Sequence, residues 1–278
     1  MLWNESGLVR AFSGVGADLR LATLTAPSRR QPVTQPYTLD VETLSRSPFE
    51  RYVLSIGDSD TVDAQVLHAL PAQQHLLLLV KSHDRDGQLK KSRFLCGHDE
   101  RHWFVAAVPD KNSPSRTVQQ AMDALQPSEV QQALRRGHVR HKQRHRRNNP
   151  AYLRQGEWFF LPAPDFEADP RIVHRREPLR MFGKPHWVEE LVRTGGDTVY
   201  VCRQQPSAVS VETHRRMLQD NPAARYWSWR QMKANPQVHA RGRVWHPDHA
   251  SVYLPFWHRV LPNEEAKALS RPQVVFLD

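Results

Sequence analysis

Hydrophobic positions along this chain come in short runs separated by polar, turn-forming clusters, a pattern typical of many short strands. The first half contains four such runs, at residues 51–56, 75–81, 91–96 and 103–108. The second half contains four more, at residues 157–161, 198–202, 238–245 and 252–260. Turn signals between the runs of residues 75–108 predict an antiparallel meander. The last two runs, at residues 238–245 and 252–260, flank His246-Pro247-Asp248-His249. Proline in this position suits a type I turn, so the two runs are predicted to form a hairpin.

Apolar residues spaced three or four apart predict short helices between these strands. The predicted helices cover residues 61–70, 115–125, 128–136, 185–192, 210–218 and 222–232. Ser128 and Ser210 stand at N-cap positions, and Gly137 follows the end of the third helix. Both halves mix short helices with mainly antiparallel strands, so the chain is predicted to be an α+β protein.

The length of 278 residues allows two modest domains, and a basic segment near the middle is the best boundary. Residues 1–50 are rich in proline and weakly periodic, and we expect an irregular N-terminal arm there. Residues 51–134 and 151–278 are each predicted to be an α+β domain. Residues 135–150 are predicted to be a basic linker or a nucleic-acid-binding segment.

Composition narrows the function classes. Lys and Arg number 39 against 29 for Asp and Glu, a net charge of +10, which attracts polyanions such as nucleic acids. The longest aliphatic run, residues 76–80, is far too short to span a bilayer, so we expect no membrane association. The N-terminus does not resemble a secretory signal, and Cys96 and Cys202 share no motif spacing. These features together favour a cytoplasmic protein.

Seven cations cluster around the middle of the chain, with no acidic residue between Glu129 and Glu157: Arg135, Arg136, Arg140, Lys142, Arg144, Arg146 and Arg147. The planar guanidinium group suits phosphate, which favours nucleic-acid binding. The same run is also typical of a solvated linker between domains. A second nucleic-acid-binding candidate is the predicted strand with Arg241, Arg243 and Trp245 on one face, where two guanidinium groups flank a ring able to stack on bases.

Histidines supply the candidate chemistry. His246 and His249 lie at the two ends of a predicted turn, close enough to chelate Zn²⁺ or Mn²⁺, or to act in catalysis with Asp248 as the orienting carboxylate. We expect His258 to be a third metal ligand. His186 and Glu189 share a face of a predicted helix and could add ligands, although no sequence pattern places them near His246. The turn at residues 98–102 is a weaker metal candidate.

Three hypotheses follow from these residues. The first is a basic protein that binds nucleic acid, with RNA or single-stranded DNA favoured, and performs no catalysis. The second is a metal-dependent hydrolase, in particular a nuclease, built on the His/Asp cluster. The third is an assembly component whose basic segment binds an acidic protein partner. Whether the protein is an enzyme is left open by the sequence.

Overall fold

The computed structural model describes residues 5–24, 36–43, 49–57, 62–83, 86–110, 114–181 and 184–265. The chain forms two compact units. The first ends at Gln132 and resumes at Asn263, and the second runs from Ala133 to Pro262. The predicted α+β class is confirmed, because the described residues form four α-helices and mainly antiparallel sheets. None of the helices in these residues is long and apolar enough to cross a membrane.

The first unit combines short helices with two sheets. Its elements are α1 (Glu5–Gly14), β1 (Leu19–Thr23), β2 (Tyr37–Thr43), β3 (Glu50–Ile56), β4 (Val62–Leu70), β5 (His75–His83), β6 (Leu89–Asp99), β7 (His102–Val108), α2 (Val118–Leu125) and α3 (Ser128–Arg136), in which the boundary to the second unit falls. β1 pairs in parallel with β3, which pairs antiparallel with β2. Strands β4 to β7 form the antiparallel meander in sequence order, as predicted for β5 to β7.

Both faces of this meander are buried, which explains the unbroken aliphatic run in β5. Leu76, Leu78 and Val80 pack in a core with α1 and the three-stranded sheet. Leu77 faces the opposite way and packs against the apolar side of α2. Successive side chains of a strand alternate between faces, so a strand buried on both faces needs apolar residues at every position.

The second unit is dominated by one large antiparallel sheet. Its elements after α3 are β8 (Asn148–Asn149), β9 (Tyr152–Gln155), β10 (Trp158–Pro162), β11 (His174–Leu179), β12 (His186–Thr194), β13 (Asp197–Val201), β14 (Val209–Ser210), α4 (Val211–Asp220), β15 (Arg230–Ala234), β16 (Gln237–His246) and β17 (His249–Pro262). Seven strands lie in the order β11-β12-β16-β17-β10-β9-β8, and β14-β13-β15 form a small separate sheet.

Local sequence signals account for several of these elements. Thr117 caps α2 in a capping box with Gln120, and the Ser210 hydroxyl accepts from the backbone N–H of Thr213 at the start of α4. The core of the large sheet comes from alternate positions of its central strands, among them Val188, Val244 and Leu254. The hairpin predicted around residues 246–249 is confirmed as β16 and β17.

Several predictions of secondary structure were wrong. Residues 62–70 and 186–194 are the strands β4 and β12 instead of helices, and residues 222–232 form a short 3₁₀ turn followed by β15. Paired strands bury such short apolar segments without satisfying any helical spacing, so the three- and four-residue spacing was fortuitous. Within residues 1–50, the described part forms α1 and the strands β1 and β2, in place of an irregular arm. The sequence also indicates a final strand at residues 273–277, which lie outside the described residues.

The basic segment belongs to the second unit. Val139 in its middle is buried, and the Tyr152 hydroxyl of β9 donates to the backbone carbonyl of Arg144. The Asn149 side-chain amide donates to the carbonyl of Arg146 at 3.1 Å and thereby holds the end of the segment. The end of the basic segment, residues 144–149, is therefore held by hydrogen bonds within the segment and to β9.

Candidate metal centre

The turn between β16 and β17 places two histidines side by side. His246 ends β16 and His249 begins β17, so they form a directly opposed pair across a two-residue turn of Pro247 and Asp248. Their ring centroids lie 4.8 Å apart. The backbone N–H of Asp248 donates to His246 Nδ1 at 3.1 Å. This close approach is the geometry that the sequence predicted for the two residues.

His186, the first residue of β12, joins this pair. β12 pairs antiparallel with β16 in a register that sets Trp187 opposite Trp245, which brings His186 beside His246. The His186 ring stacks on His246 at a centroid distance of 4.2 Å and on His249 at 5.4 Å. Only 1% of His186 is exposed.

These three histidines form the one group of three or more metal-ligating side chains within the described residues. One ligand atom from each lies within 4.8 Å of the others. Two ligands of a tetrahedral zinc ion, each about 2.0–2.1 Å from it, stand about 3.3 Å apart. Each ligand atom therefore has to shift by up to about 1 Å, and the stacked rings also have to turn, before their lone pairs can meet at a common ion. Three imidazoles are a ligand set that suits Zn²⁺, Fe²⁺ or Ni²⁺.

The turn between β9 and β10 covers the histidines. Gly156 in this turn has a left-handed backbone with φ of +55°, and a Cβ atom there would lie 2.8 Å from His186 Cε1 and 3.0 Å from His249 Nε2. Glycine at this position thus lets the backbone approach both rings. Its neighbours Gln155 and Glu157 direct their side chains to His186.

Gln155 holds the orientation of His186. The Gln155 Oε1 atom faces His186 Nδ1 at 3.0 Å, and the Gln155 amide nitrogen donates to the carbonyl of Ala250 at 2.7 Å. Because the Gln155 amide nitrogen donates to a carbonyl, the amide oxygen is the atom that faces the imidazole. An amide oxygen can only accept a hydrogen bond. His186 therefore carries a hydrogen on Nδ1, and its Nε2 faces Glu157. Metal-binding histidines are commonly oriented in this way.

The electrostatics keep two of the rings neutral near pH 7. Burial first, and then the neighbouring rings of His186 and His246, lower the pKa of His249 to about 4. The pKa of His246 is also lowered, first by burial and then by His186. Neutral imidazole is the form that coordinates a metal. His246 Nδ1 already accepts a hydrogen bond, and the backbone of Lys184 is a second partner, so coordination has to displace one of them.

Asp248, the predicted catalytic carboxylate, lies at the rim of the cluster. Both its oxygens accept from Lys184 Nζ at 3.0 Å. Its Oδ2 is 4.0 Å from His246 Nδ1, beyond hydrogen-bond distance. The structure therefore brings Asp248 near His246 and pairs it more closely with Lys184.

The other predicted ligands lie elsewhere. His258 is nine residues beyond His249 along β17, roughly 30 Å for extended chain, and its Nδ1 bonds to the carbonyl of Phe256. Glu189 accepts from the backbone N–H of Arg243 at 2.8 Å. The predicted sharing of a helical face by His186 and Glu189 was wrong, because three residues apart on a strand they face opposite sides. In the turn at 98–102, His102 pairs with Glu50 at 2.6 Å.

The cations of the basic segment are mostly available to solvent. Five of the seven are exposed: Arg135, Arg136, Arg140, Lys142 and Arg146. Arg144 and Arg147 are half-buried. Burial and the neighbouring charge of Arg154 lower the pKa of Arg147 to about 10, and the charge of Arg147 contributes to the low pKa of His249. The charge at the end of the basic segment thus acts on the histidine cluster.

The second predicted nucleic-acid surface is partly occupied by internal contacts. Arg241 forms an ion pair with Glu190 at 2.6 Å and lies over the ring of Trp257 at 4.7 Å. Arg243 is exposed and donates to the Ser251 hydroxyl, and Trp245 is half-buried. Arg243 is therefore the member of this face that is best placed to contact a ligand.

Comparison with known proteins adds no relative: no family model, no curated protein and no solved structure matches this chain. The site is therefore defined by its geometry alone. Sequence reasoning missed Gln155 and Glu157 as site residues. The only local signal was a glycine between two polar residues at a strand-to-strand turn, which is common at turns of every kind.

Proposed function

We propose that the second unit is a divalent-metal-dependent hydrolase of phosphate esters, with nucleic acid as the substrate class. One observation carries the proposal: three histidines from two distant parts of the chain converge with ligand atoms within 4.8 Å of one another. A divalent metal ion is a ligand that all three imidazoles could share.

The ligand set suits catalysis. Three histidines with an open coordination position occur in hydrolytic zinc sites, where the metal lowers the pKa of bound water and stabilises negative charge in the transition state. His246 and His249 lie at the tip of a hairpin. The side chain of His246 is only 6% exposed, whereas His249 is half-buried, so the side of the cluster that is open to solvent is that of His249. A substrate can approach from the same side.

The substrate class follows from charge. Arg147 adjoins His249, and the exposed cations Arg140, Lys142 and Arg146 precede it along the chain. Arginine binds phosphate through a planar fork of donors. A polyanion following this segment toward the histidines would bring a phosphodiester bond to the metal. Single-stranded nucleic acid suits a surface of separate cations better than a duplex groove does.

Nucleic-acid binding without catalysis is the second candidate. The exposed cations favour it, because five of them lie along one folded segment irrespective of the histidines. In that case the metal would have a structural role. Variants of the histidines distinguish the two candidates. They should alter only the cleavage of nucleic acid if the metal is catalytic, and its binding if the metal is structural.

Metal binding is the first test. The full-length protein, stripped with a chelator and titrated with Zn²⁺ in a calorimeter, is expected to bind one ion per chain. His186→Ala and His246→Ala should abolish that binding. The matched control is His174→Ala, which removes an exposed histidine at the start of β11. If the unmodified protein binds no Zn²⁺, Mn²⁺, Fe²⁺ or Ni²⁺, the proposal is refuted.

Cleavage is the second test. Short fluorescently labelled single-stranded RNA and DNA and the chromogenic ester bis-(p-nitrophenyl) phosphate serve as substrates, with and without added metal. Metal-dependent cleavage that is lost in His246→Ala supports the hydrolase. Salt-dependent binding with no cleavage under any metal supports the second candidate. Absence of both, with an acidic protein retained through nuclease treatment, would instead favour an assembly role.

A further inference from the structure

We infer that Glu157 is the fourth protein ligand of this centre, so that the bound ion has a three-histidine, one-carboxylate ligand set and takes the water molecule that hydrolysis needs as a fifth ligand. The inference rests on the proposed metal centre and names its ligand set. Glu157 lies in the turn between β9 and β10, which packs against the rings of His186 and His249. It comes from a third part of the chain, away from both β12 and the β16–β17 hairpin.

Distance is the first argument. Glu157 Oε2 lies 3.2 Å from His186 Nε2. Nε2 is the nitrogen that Gln155 leaves for the metal, since Nδ1 donates to the Gln155 carbonyl oxygen. A separation of 3.2 Å matches the spacing of about 3.3 Å between two ligands of a tetrahedral zinc ion. The two atoms therefore already stand as neighbouring ligands stand.

Burial is the second argument. The Glu157 side chain is 18% exposed, and its other oxygen, Oε1, is buried and has no hydrogen-bond partner within the described part of the chain. His186 is its sole ion-pair partner among these residues. A buried carboxylate oxygen without a donor is expensive. The charge of Arg154 acts on Glu157 but gives this oxygen no hydrogen bond, and a cation bound within the cluster would satisfy it.

Charge is the third argument. Three neutral imidazoles leave the full double charge of the ion inside a partly buried site, with Arg147 close by. A carboxylate ligand halves that charge. Imidazole and carboxylate together also suit borderline metals such as Zn²⁺, Mn²⁺, Fe²⁺ and Ni²⁺, and with one oxygen ligand they discriminate against Ca²⁺, which takes six to eight.

The test uses the full-length protein and Co²⁺ as a spectroscopic probe for the site. Titration of the metal-free protein with Co²⁺ reports affinity, and the intensity and position of the visible absorption bands report the ligand set. We expect Glu157→Gln to weaken Co²⁺ and Zn²⁺ binding by about 100-fold and to shift the visible bands. Gln155→Ala, which only releases the His186 ring, should weaken binding by about 10–100-fold with unchanged bands.

Two controls make the outcomes distinct. Glu167→Gln removes an exposed glutamate of the same unit and should leave both affinity and spectrum unchanged. Glu157→Asp retains a carboxylate and should recover part of the affinity. If the unmodified protein binds one ion and Glu157→Gln binds it with the same affinity and spectrum, the carboxylate is not a ligand and this inference is overturned while the three-histidine centre stands. If the unmodified protein binds no metal, the centre itself fails. Circular dichroism of Glu157→Gln shows whether it is folded, and Glu157→Asp carries the test if it is not.

Discussion

Gly156 offers a sharp test of how closely the β9–β10 turn contacts the histidines. Replacement by alanine has two effects that can be separated. The first is conformational, because φ of +55° is unfavourable for any residue with a Cβ and costs about 1–2 kcal/mol. The second is steric, because the new methyl group would stand 2.8 Å from His186 Cε1 and 3.0 Å from His249 Nε2.

The steric effect cannot be relieved cheaply. His186 is 1% exposed, stacks on two other rings and is held by Gln155, so it has little room to move. Overpacking of such a site typically costs about 1–3 kcal/mol. We therefore expect Gly156→Ala to destabilise the second unit by about 2–5 kcal/mol in total. Any ring movement that accommodates the methyl group also displaces a metal ligand.

Gly195 is the matched control. It lies in the turn between β12 and β13, has a similar φ of +66°, and a Cβ atom there would meet nothing within 4 Å. Gly195→Ala should therefore carry the conformational cost alone, about 1–2 kcal/mol, and leave metal binding intact.

Urea unfolding of both full-length variants, followed by tryptophan fluorescence, gives the two losses in the free energy of unfolding, and Zn²⁺ calorimetry gives the two affinities. The expected result is a Gly156→Ala variant that is about 1–3 kcal/mol less stable than Gly195→Ala and binds Zn²⁺ at least about tenfold more weakly. Equal stabilities and equal affinities would refute the idea that this turn packs against the rings.

Three further predictions concern other parts of the molecule. Replacing Arg140, Lys142 and Arg146 together by alanine should weaken the salt dependence of binding to single-stranded nucleic acid. The slope of the logarithm of the binding constant against the logarithm of the salt concentration should become shallower by about two. An unchanged slope would mean that this segment does not contact the nucleic acid. Because the pKa of His249 lies at about 4 in the folded protein, against an ordinary 6.5, the unfolded chain binds more protons between these values. Stability of the metal-free second unit should therefore fall as pH is lowered from 7 to 4, by about 1–2 kcal/mol given partial solvent screening, and His249→Asn should flatten the urea-midpoint profile over that range. Tyr52→Phe in the first unit removes a buried hydroxyl that bonds two backbone carbonyls at 3.0 and 3.1 Å. It should cost about 1–2 kcal/mol in unfolding without changing Zn²⁺ affinity.

The elements that the sequence predicted correctly are those whose signals are local. The α4 helix begins at a serine cap, and the β16–β17 hairpin turns at Pro247 and Asp248, because capping and turn chemistry act over three or four residues. The strand β12 was mistaken for a helix. Its sequence contains Val188, Leu191 and Val192, whose spacing is compatible with a helical face, and only pairing with β11 and β16 decides for the strand.

The site shows the same difference between local signals, which the sequence reveals, and strand pairing, which it does not. His246 and His249 were predictable as neighbours because a two-residue turn joins them. His186 was visible in the sequence as a candidate ligand, but its position depends on the register between β12 and β16, strands whose first residues are 51 positions apart in the chain. His258 was wrongly expected at the site because it follows the same turn in the sequence. Each residue of an extended strand adds about 3.3 Å, so a residue nine positions beyond the turn lies far from it.

This dependence on register has a consequence for the stability of the second unit. The proposed ligands come from the β9–β10 turn, the start of β12 and the end of the β16–β17 hairpin, and the large sheet has to be correctly paired before they meet. A metal held by all three segments binds the folded unit alone, so it stabilises that unit by about 2.7 kcal/mol when the free metal is 100-fold above its dissociation constant. The gain should vanish in His186→Ala, whose strand remains in the sheet, and persist in His174→Ala. A stabilisation by Zn²⁺ that is equal in both variants would mean that the ion binds elsewhere, and the convergence of the three histidines would then have no bearing on metal binding.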